Sequence, residues 1–347
     1  MSGARFRCYI WGGVQQHLHE GGAEINEIYM RAKVYKSTGS WYVVKTADGR
    51  VWNARLKGLF KLDGITSTNP LAVGDDVEIE TESEMEATAI VTEIYDRHNY
   101  INRRSPSNPN QHHIVAANID QSLLLVTLRE PRTSQGFIDR WLVTCEAYHV
   151  PAVLLFNKSD NYGKKEEGRF GEWKAMYEAV GYRLIRMSVR TGEGLEEARR
   201  LLEGHISLLS GHSGVGKSSF LNALFPEMRL KTKEISGWSG KGMHTTTFAE
   251  MFDLPRGGDG SRGGGDGRGG GGGIIDTPGM REFGIVGITK QELSGYFPEM
   301  RALAGQCHFN NCLHLEEPGC RVKEAVGEGR IAAARYESYC HILDSIG

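Results

Sequence analysis

The sequence has no long apolar run. Nothing in it approaches the roughly 18 consecutive apolar residues that a membrane-crossing helix needs, so no membrane partner is expected. It also lacks an excess of charge. The 41 Lys and Arg stand against 43 Asp and Glu, a formal charge of −2, which argues against a uniformly basic nucleic-acid binder and leaves any RNA contact to local patches. Cysteine is sparse, at six residues. Cys307, Cys312 and Cys320 cluster around a histidine, while Cys8, Cys145 and Cys340 stand apart, a spacing that suggests metal rather than a disulfide framework. A reducing compartment follows, and the expected location is the cytoplasm. The opening MSGARFRCYIWGGVQQHLHE lacks the continuous apolar core of a secretory signal. Strand-like texture starts only at Met30, so residues 1–29 read as a disordered extension or as sequence ahead of the true start.

Glycine, by contrast, is abundant, and the segment 257–273 holds twelve glycines in seventeen residues. No core can form from such a segment. It reads as a tolerated insertion between two adjacent strands, since lengthening a loop adds little closure entropy.

Two textures precede it. Residues 30–96 carry short strand-like runs at Trp41–Lys45, Val51–Leu56, Asp76–Glu80 and Ala89–Tyr95, separated by turn signals such as Ala47-Asp48-Gly49. A small all-β barrel fits. An OB-fold is favoured over an SH3-like barrel, although strand patterning alone does not separate them. Residues 97–118, polar and rich in Ser-Pro and Asn-Pro signals, read as a linker. From 119 to 283 apolar strands alternate with helical segments, the pattern of a parallel sheet with helices on both faces. Helices are expected at Gln135–Tyr148, Phe170–Val180, Leu195–Glu203 and Lys217–Leu224.

Within that α/β region lies Gly211-x-x-x-x-Gly216-Lys217-Ser218, between the apolar strand Ile206–Ser210 and a helix. The residues Gly211, His212, Ser213, Gly214, Val215, Gly216, Lys217, Ser218 and Ser219 form a phosphate loop. Its glycines let backbone amides curl around phosphate oxygens, Lys217 reaches the β and γ phosphates, and the Ser218 hydroxyl suits magnesium. Asn157-Lys158-Ser159-Asp160 follows another apolar strand. A carboxylate at Asp160 accepts from the N1–H and amine of guanine, which adenine does not offer, so an ATPase is disfavoured. Asn157 would tie this segment to the phosphate loop, and the Lys158 stem would cover the base. Ser188-Val189-Arg190-Thr191-Gly192 resembles the second guanine-contacting loop. Asp276-Thr277-Pro278-Gly279 resembles the loop in which Asp276 holds the metal's water shell and the Gly279 amide meets the γ phosphate. Between the phosphate loop and that segment, His244-Thr245-Thr246-Thr247 occupies the place of the first switch. Thr246 is the favoured magnesium ligand, with Thr245 its rival.

The guanine loops come first and the phosphate loop after them, so the expected domain is a circularly permuted P-loop GTPase. Met280 stands where many GTPases place a water-orienting glutamine. A thioether cannot do that work, and His244 is the nearest candidate to place the attacking water. The competing reading is a non-catalytic switch that binds GTP and reports its state to a partner. Further on, Cys307, Cys312, His314 and Cys320 offer three thiols and an imidazole within fourteen residues, a closed tetrahedral set suited to one structural zinc. His308 is a geometrically poorer substitute. Residues 284–347 thus read as a zinc-binding helical module, with helical patterning over Val322–Ile346.

These motifs resemble those of the circularly permuted, ribosome small-subunit-dependent GTPases that act late in bacterial small-subunit assembly. The resemblance covers about residues 31–346 and rests on GHSGVGKSS, HTTT, DTPGMREFG and CHFNNCLHLEEPGC. The extension and the glycine-rich insert depart from it without touching a motif. It implies GTP hydrolysis stimulated by the small ribosomal subunit, barrel contact with its rRNA, and release of an assembly factor. The chain is expected to act as a monomer on GTP and GDP, with magnesium and one structural zinc.

Overall fold

In a computed structural model of the chain, the described residues are 8–9, 14–16, 29–38, 40–57, 70–104, 112–226, 249–255, 272–276 and 287–346. By contact they divide into two compact units, Met1–Ile119 with Thr247–Pro278, and Asp120–Thr246 with Gly279–Gly347.

The first unit begins with two short strands, β1 (Cys8–Tyr9) and β2 (Val14–Gln16), in the stretch expected to be a disordered extension. They pair with each other, and β2 pairs with the start of the next strand through Val14 and Met30. Then come β3 (Tyr29–Ser37), β4 (Tyr42–Thr46), β5 (Val51–Leu56), β6 (Asp76–Ser83) and β7 (Thr88–Ile94). Alternate residues of these strands point inward, as the period of two requires, and Ala32, Val34, Tyr42, Val44, Trp52, Val77, Ile79 and Val91 form the core. Pairing closes a circuit β3–β4–β5–β7–β6–β3, antiparallel except for the parallel pair β5–β7. That one parallel pair requires a crossover that a simple meander lacks, and it resolves the barrel as OB-like.

The segment read as a linker is instead a hairpin, β8 (Tyr100–Arg104) against β9 (His112–Ala117). Its Ser-Pro and Asn-Pro signals fall between the two strands. The buried positions Ile101, Ala116 and Ala117 are too few to show as alternation. The Asn99 side chain seals its base, donating to the Ile119 carbonyl at 2.7 Å and accepting from the Ile119 amide at 2.8 Å.

The second unit alternates β10 (Gln121–Val126), α1 (Gln135–Ala147), β11 (Ala152–Phe156), α2 (Lys164–Ala179), β12 (Arg183–Arg186), α3 (Leu195–Leu202), β13 (Ile206–Ser210) and α4 (Lys217–Leu224). The strands lie in the order β12–β11–β10–β13, all parallel. Every residue of β10 is buried, which is why that strand reads as a run rather than an alternation. Helix α2 starts six residues before the expected Phe170, because its first turn is the charged Lys164-Lys165-Glu166-Glu167. Glu166 there accepts from the Gly163 amide at 3.1 Å. An apolar period is silent about such a turn.

The C-terminal part adds α5 (Pro298–Arg301), α6 (Arg321–Gly327) and α7 (Ala333–Ser345). The helical pattern over Val322–Ile346 is therefore two helices, parted near Gly329, whose φ of 74° lies in the left-handed region. Leu293, Phe297, Met300, Val322, Tyr339 and Ile342 share one apolar core with Val143 of α1. Inside this contact Arg335, 1% exposed, donates to Asp139 Oδ1 at 2.6 Å and to Glu299 Oε1 at 2.7 Å. Tyr177 donates to the same Asp139 oxygen at 2.8 Å. Burial alone would lower the Arg335 guanidinium; the Asp139 and Glu299 carboxylates outweigh it and hold the group above its ordinary value.

The chain returns to the first unit as β14 (Glu250–Asp253) and β15 (Gly273–Asp276), the antiparallel strands on either side of the glycine-rich insert. Residues 257–271 of that insert lie outside the described residues. Strand β14 pairs with β3 at Glu250 and Lys36, whose side chains form an ion pair at 3.0 Å. Asp253 accepts from Tyr35 at 2.5 Å and pairs with Lys45.

Candidate functional site

Parallel strands present their ligand sites at their carboxyl ends, and the loops after β10, β11, β12 and β13 gather there. The phosphate loop leaves β13, whose Leu208 and Leu209 are fully buried. Gly211, Gly214 and Gly216 have φ of 141°, 85° and 102°. A Cβ at Gly211 would come within 2.7 Å of the Leu125 carbonyl oxygen, and one at Gly216 within 2.6 Å of Asn157 Nδ2. The two motif glycines are thus required by what passes beside them. Lys217 Nζ donates to the carbonyls of Gly211 at 2.6 Å and His212 at 3.1 Å, spanning the loop it follows. Val215 is buried, whereas Ser213, Ser218 and Ser219 are exposed.

Asn157, 2% exposed, joins three loops. Its Nδ2 donates to the Val215 carbonyl at 2.8 Å, and its Oδ1 accepts from the Val189 amide at 3.2 Å. Lys158, at a φ of 63°, sends Nζ to the carbonyls of Glu130 at 2.5 Å and Gly214 at 2.9 Å. Ser159 donates to Glu193 Oε2 at 2.6 Å. Asp160 Oδ1 accepts from the Ser188 hydroxyl at 2.6 Å, and Arg190 stands 3.6 Å from Oδ2. Ser188 Oγ itself accepts from the Thr191 amide at 3.2 Å, which turns its proton toward Asp160. The structure therefore brings Asn157, Lys158, Ser159, Asp160, Ser188 and the phosphate loop into one constellation. An ionised carboxylate offers about four acceptor positions, so the Ser188 bond leaves Asp160 able to accept from a base.

Asp276 ends β15, opposite Glu250 in the first unit. His244, Thr245, Thr246, Thr247, Gly279 and Met280 lie outside the described residues. Three further participants lie outside the motifs. Glu193 anchors Ser159, the Glu130 carbonyl anchors Lys158, and the Phe137 ring lies against His212. None belongs to a motif, since two act across loops and one acts through its backbone.

The cysteine cluster forms a second site. One donor atom each from Cys307, Cys312, His314 and Cys320 lies within 4.8 Å of all the others. His314 Nδ1 is 3.6 Å from Cys307 Sγ and 3.4 Å from Cys320 Sγ. A tetrahedral centre with bonds of roughly 2.0–2.3 Å has edges of about 3.5–3.8 Å, so the donor set fits zinc. His308 is not among the converging groups. Burial holds the His314 imidazole below its ordinary value, in the neutral form that binds a metal, and pushes the Cys312 thiol up to about 12. The loop is fastened from outside as well. Glu317 accepts from the Leu313 and Leu315 amides at 2.7 and 2.8 Å. Tyr336 donates to the His314 carbonyl at 2.6 Å and Tyr339 to the Leu313 carbonyl at 2.8 Å.

Residues 94–286 match the RsgA GTPase family and residues 32–89 the RsgA N-terminal domain. The chain is 46% identical over 318 residues to the small ribosomal subunit biogenesis GTPase RsgA of Flavobacterium psychrophilum, across 91% of this chain and 93% of that one. It is 50% identical over 314 residues to the protein of the same name from Cytophaga hutchinsonii, across 90% and 98% of the two chains. Among solved structures it is similar to YjeQ from Thermotoga maritima, with a TM-score of 0.70, 32% identity and coverage of 92% and 98%. It is also similar to YloQ, described as a circularly permuted GTPase, with a TM-score of 0.66, 25% identity and coverage of 94% and 98%. With its guanine loops ahead of its phosphate loop, an OB-like barrel before both, and relatives matched over almost their whole lengths, the chain belongs to the RsgA GTPase family.

Proposed function

We propose that this GTPase serves late maturation of the small ribosomal subunit, that the subunit stimulates its GTP hydrolysis, and that turnover releases an assembly factor. The observation that carries the nucleotide reading is Asn157, whose single buried amide sets the spacing between the base-reading and phosphate loops. The names of the relatives support the subunit as partner.

In this reading Asp160 accepts from guanine while Lys158 covers the base, and Ser159 and Ser188 hold Asp160 and its loop. Amides of the loop from Gly211 to Gly216 bind phosphate oxygens. Lys217 neutralises the β and γ phosphates, and Ser219 extends the loop's contacts. Ser218 and Thr246 hold magnesium, Asp276 orders its water shell, and the Gly279 amide meets the γ phosphate. His244 places the attacking water, a task closed to Met280. Cys307, Cys312, His314 and Cys320 hold one zinc, which supplies cross-linking of the loop and no open coordination position. The barrel contacts rRNA through local basic patches, and the chain works as a monomer in the cytoplasm.

The test is steady-state GTP hydrolysis with and without purified small subunits. Slow intrinsic turnover, accelerated by the subunit, is expected. Equal rates in both conditions would remove the subunit from the mechanism.

A further inference from the structure

The phosphate loop makes one contact that its glycine pattern does not call for. The His212 imidazole lies against the Phe137 ring, with centroids 3.7 Å apart and planes tilted by 33°. Phe137 sits in the first turn of α1, where its amide donates to the N-cap Ser134 hydroxyl at 3.3 Å. On its other side, the His212 carbonyl accepts from Lys217 Nζ at 3.1 Å and from the Val215 amide at 3.5 Å. His212 therefore joins α1 to the lysine that faces the phosphates.

A loop with three glycines at positive φ has few side chains by which the rest of the fold can hold it. His212 is the loop's one aromatic side chain, and Phe137 is what it leans on. Burial, with the Lys217 ammonium beside it, holds the imidazole below its ordinary value. The contact is then ring on ring and adds no second positive charge next to Lys217.

We propose that Phe137 is a positioning residue for the phosphate loop: packed on His212, it steadies the carbonyl that orients Lys217 and so slows release of guanosine di- and triphosphate. This rests on the reading of residues 211–219 as the phosphate-binding loop. An aromatic pair contributes about a two- to twelvefold effect beyond its buried area.

The test uses the full chain and stopped-flow release of a fluorescent GDP analogue. Phe137→Leu keeps apolar bulk and removes the ring. It should release nucleotide about two- to twelvefold faster, and His212→Ala should do the same. The double variant should be no faster than the faster single one, because both remove one contact. Phe137→Tyr should restore slow release, which a purely space-filling role would not demand. The preference for GDP over XDP should stay unchanged in every variant, since Asp160 is untouched. A wild-type chain that binds no guanine nucleotide overturns the functional reading and this inference together. Wild-type release from Phe137→Leu, or rate effects that multiply in the double variant, overturns the inference alone. Should Phe137→Leu fail to fold, His212→Ala decides: unaltered release there refutes the role.

Discussion

The nucleotide loops and the cysteine loop are both short connections that place polar groups close together, yet they are held in opposite ways. The nucleotide loops are set by hydrogen bonds among the protein's own groups, chiefly those of buried Asn157, with Gly216 making room for it. Those two bonds tie the Asn157 loop to both Val215 and Val189. In the cysteine loop three thiols and an imidazole crowd together, and burial disfavours the thiolate form of Cys312. Its geometry is prepared by Glu317, Tyr336 and Tyr339, and its donor set could take a cation.

The strongest way to separate the two regions acts on turnover alone. With Met280 after the Asp276 loop, His244→Ala should cost about 10²–10⁴-fold in subunit-stimulated hydrolysis. GTP affinity should stay near normal, because Asp160 and the phosphate loop remain. The variant's binding to the subunit must be measured alongside. Normal binding with normal stimulated turnover would show His244 to be an ordinary loop residue.

Next in size is the contact that the two regions share. Arg335 is wedged between Asp139 of α1 and Glu299, and replacing it by Met leaves two buried carboxylates without their cation. Breaking such a pair from one side costs about 3–5 kcal/mol. Arg335→Met should therefore lower the free energy of unfolding by that order in urea titration, and should weaken both nucleotide binding and zinc retention. Loss of one alone would mean that the two regions are less joined than their common core implies.

A smaller effect is expected for base reading. Asp160→Asn exchanges one of the two acceptors for a donor, opposite the guanine amine, where xanthine presents an acceptor. It should weaken GTP binding about ten- to hundredfold and shift preference toward XTP. Competition binding with GTP, XTP and ATP checks this, and an unchanged preference for GTP would count against the assignment.

What could be read from residues alone follows the same division. The phosphate loop, Asn157–Asp160 and the Cys307–Cys320 set were legible, because their chemistry demands fixed residue types at short spacing. The barrel's strands were legible from alternation, but its OB closure lies in the parallel pairing of β5 with β7, about 35 residues apart, which no local pattern encodes. The β8–β9 hairpin reads as a linker in the sequence because its buried residues are few and small. Arg335 was hidden differently. It occupies the apolar stripe that continues through Tyr339, Ile342 and Ile346, where an arginine among core positions was the signal, and only its partners from α1 and Glu299 explain it.

The smallest effect on the nucleotide site should come from Cys312→Ser, although it removes one of the proposed zinc ligands. A serine hydroxyl is a far poorer zinc ligand than a thiolate, so zinc per chain, read by atomic emission, should fall from about one toward zero. The cysteine loop should then depend on Glu317, Tyr336 and Tyr339, whose neutral hydrogen bonds stabilise by only about 0.5–1.5 kcal/mol each. Protease susceptibility of the region around residues 307–320 should rise. Among the described residues the nucleotide loops share no hydrogen bond with Cys312, and sites without shared partners change each other's energies by about 0.3–0.5 kcal/mol. GTP affinity should therefore stay within about twofold of wild type. In the wild type, acid should act in the same direction. The Cys312 thiol in the metal-free protein holds its proton to about 12, so a metal must displace that proton, and each fall in pH favours the proton over the metal. Zinc should leave as pH falls, while GTP binding persists in the zinc-free chain when it is returned to neutral pH. Full zinc occupancy in Cys312→Ser would point to a different ligand set, and a large loss of GTP affinity would show that the metal's cross-link reaches the nucleotide loops through α7 and α1.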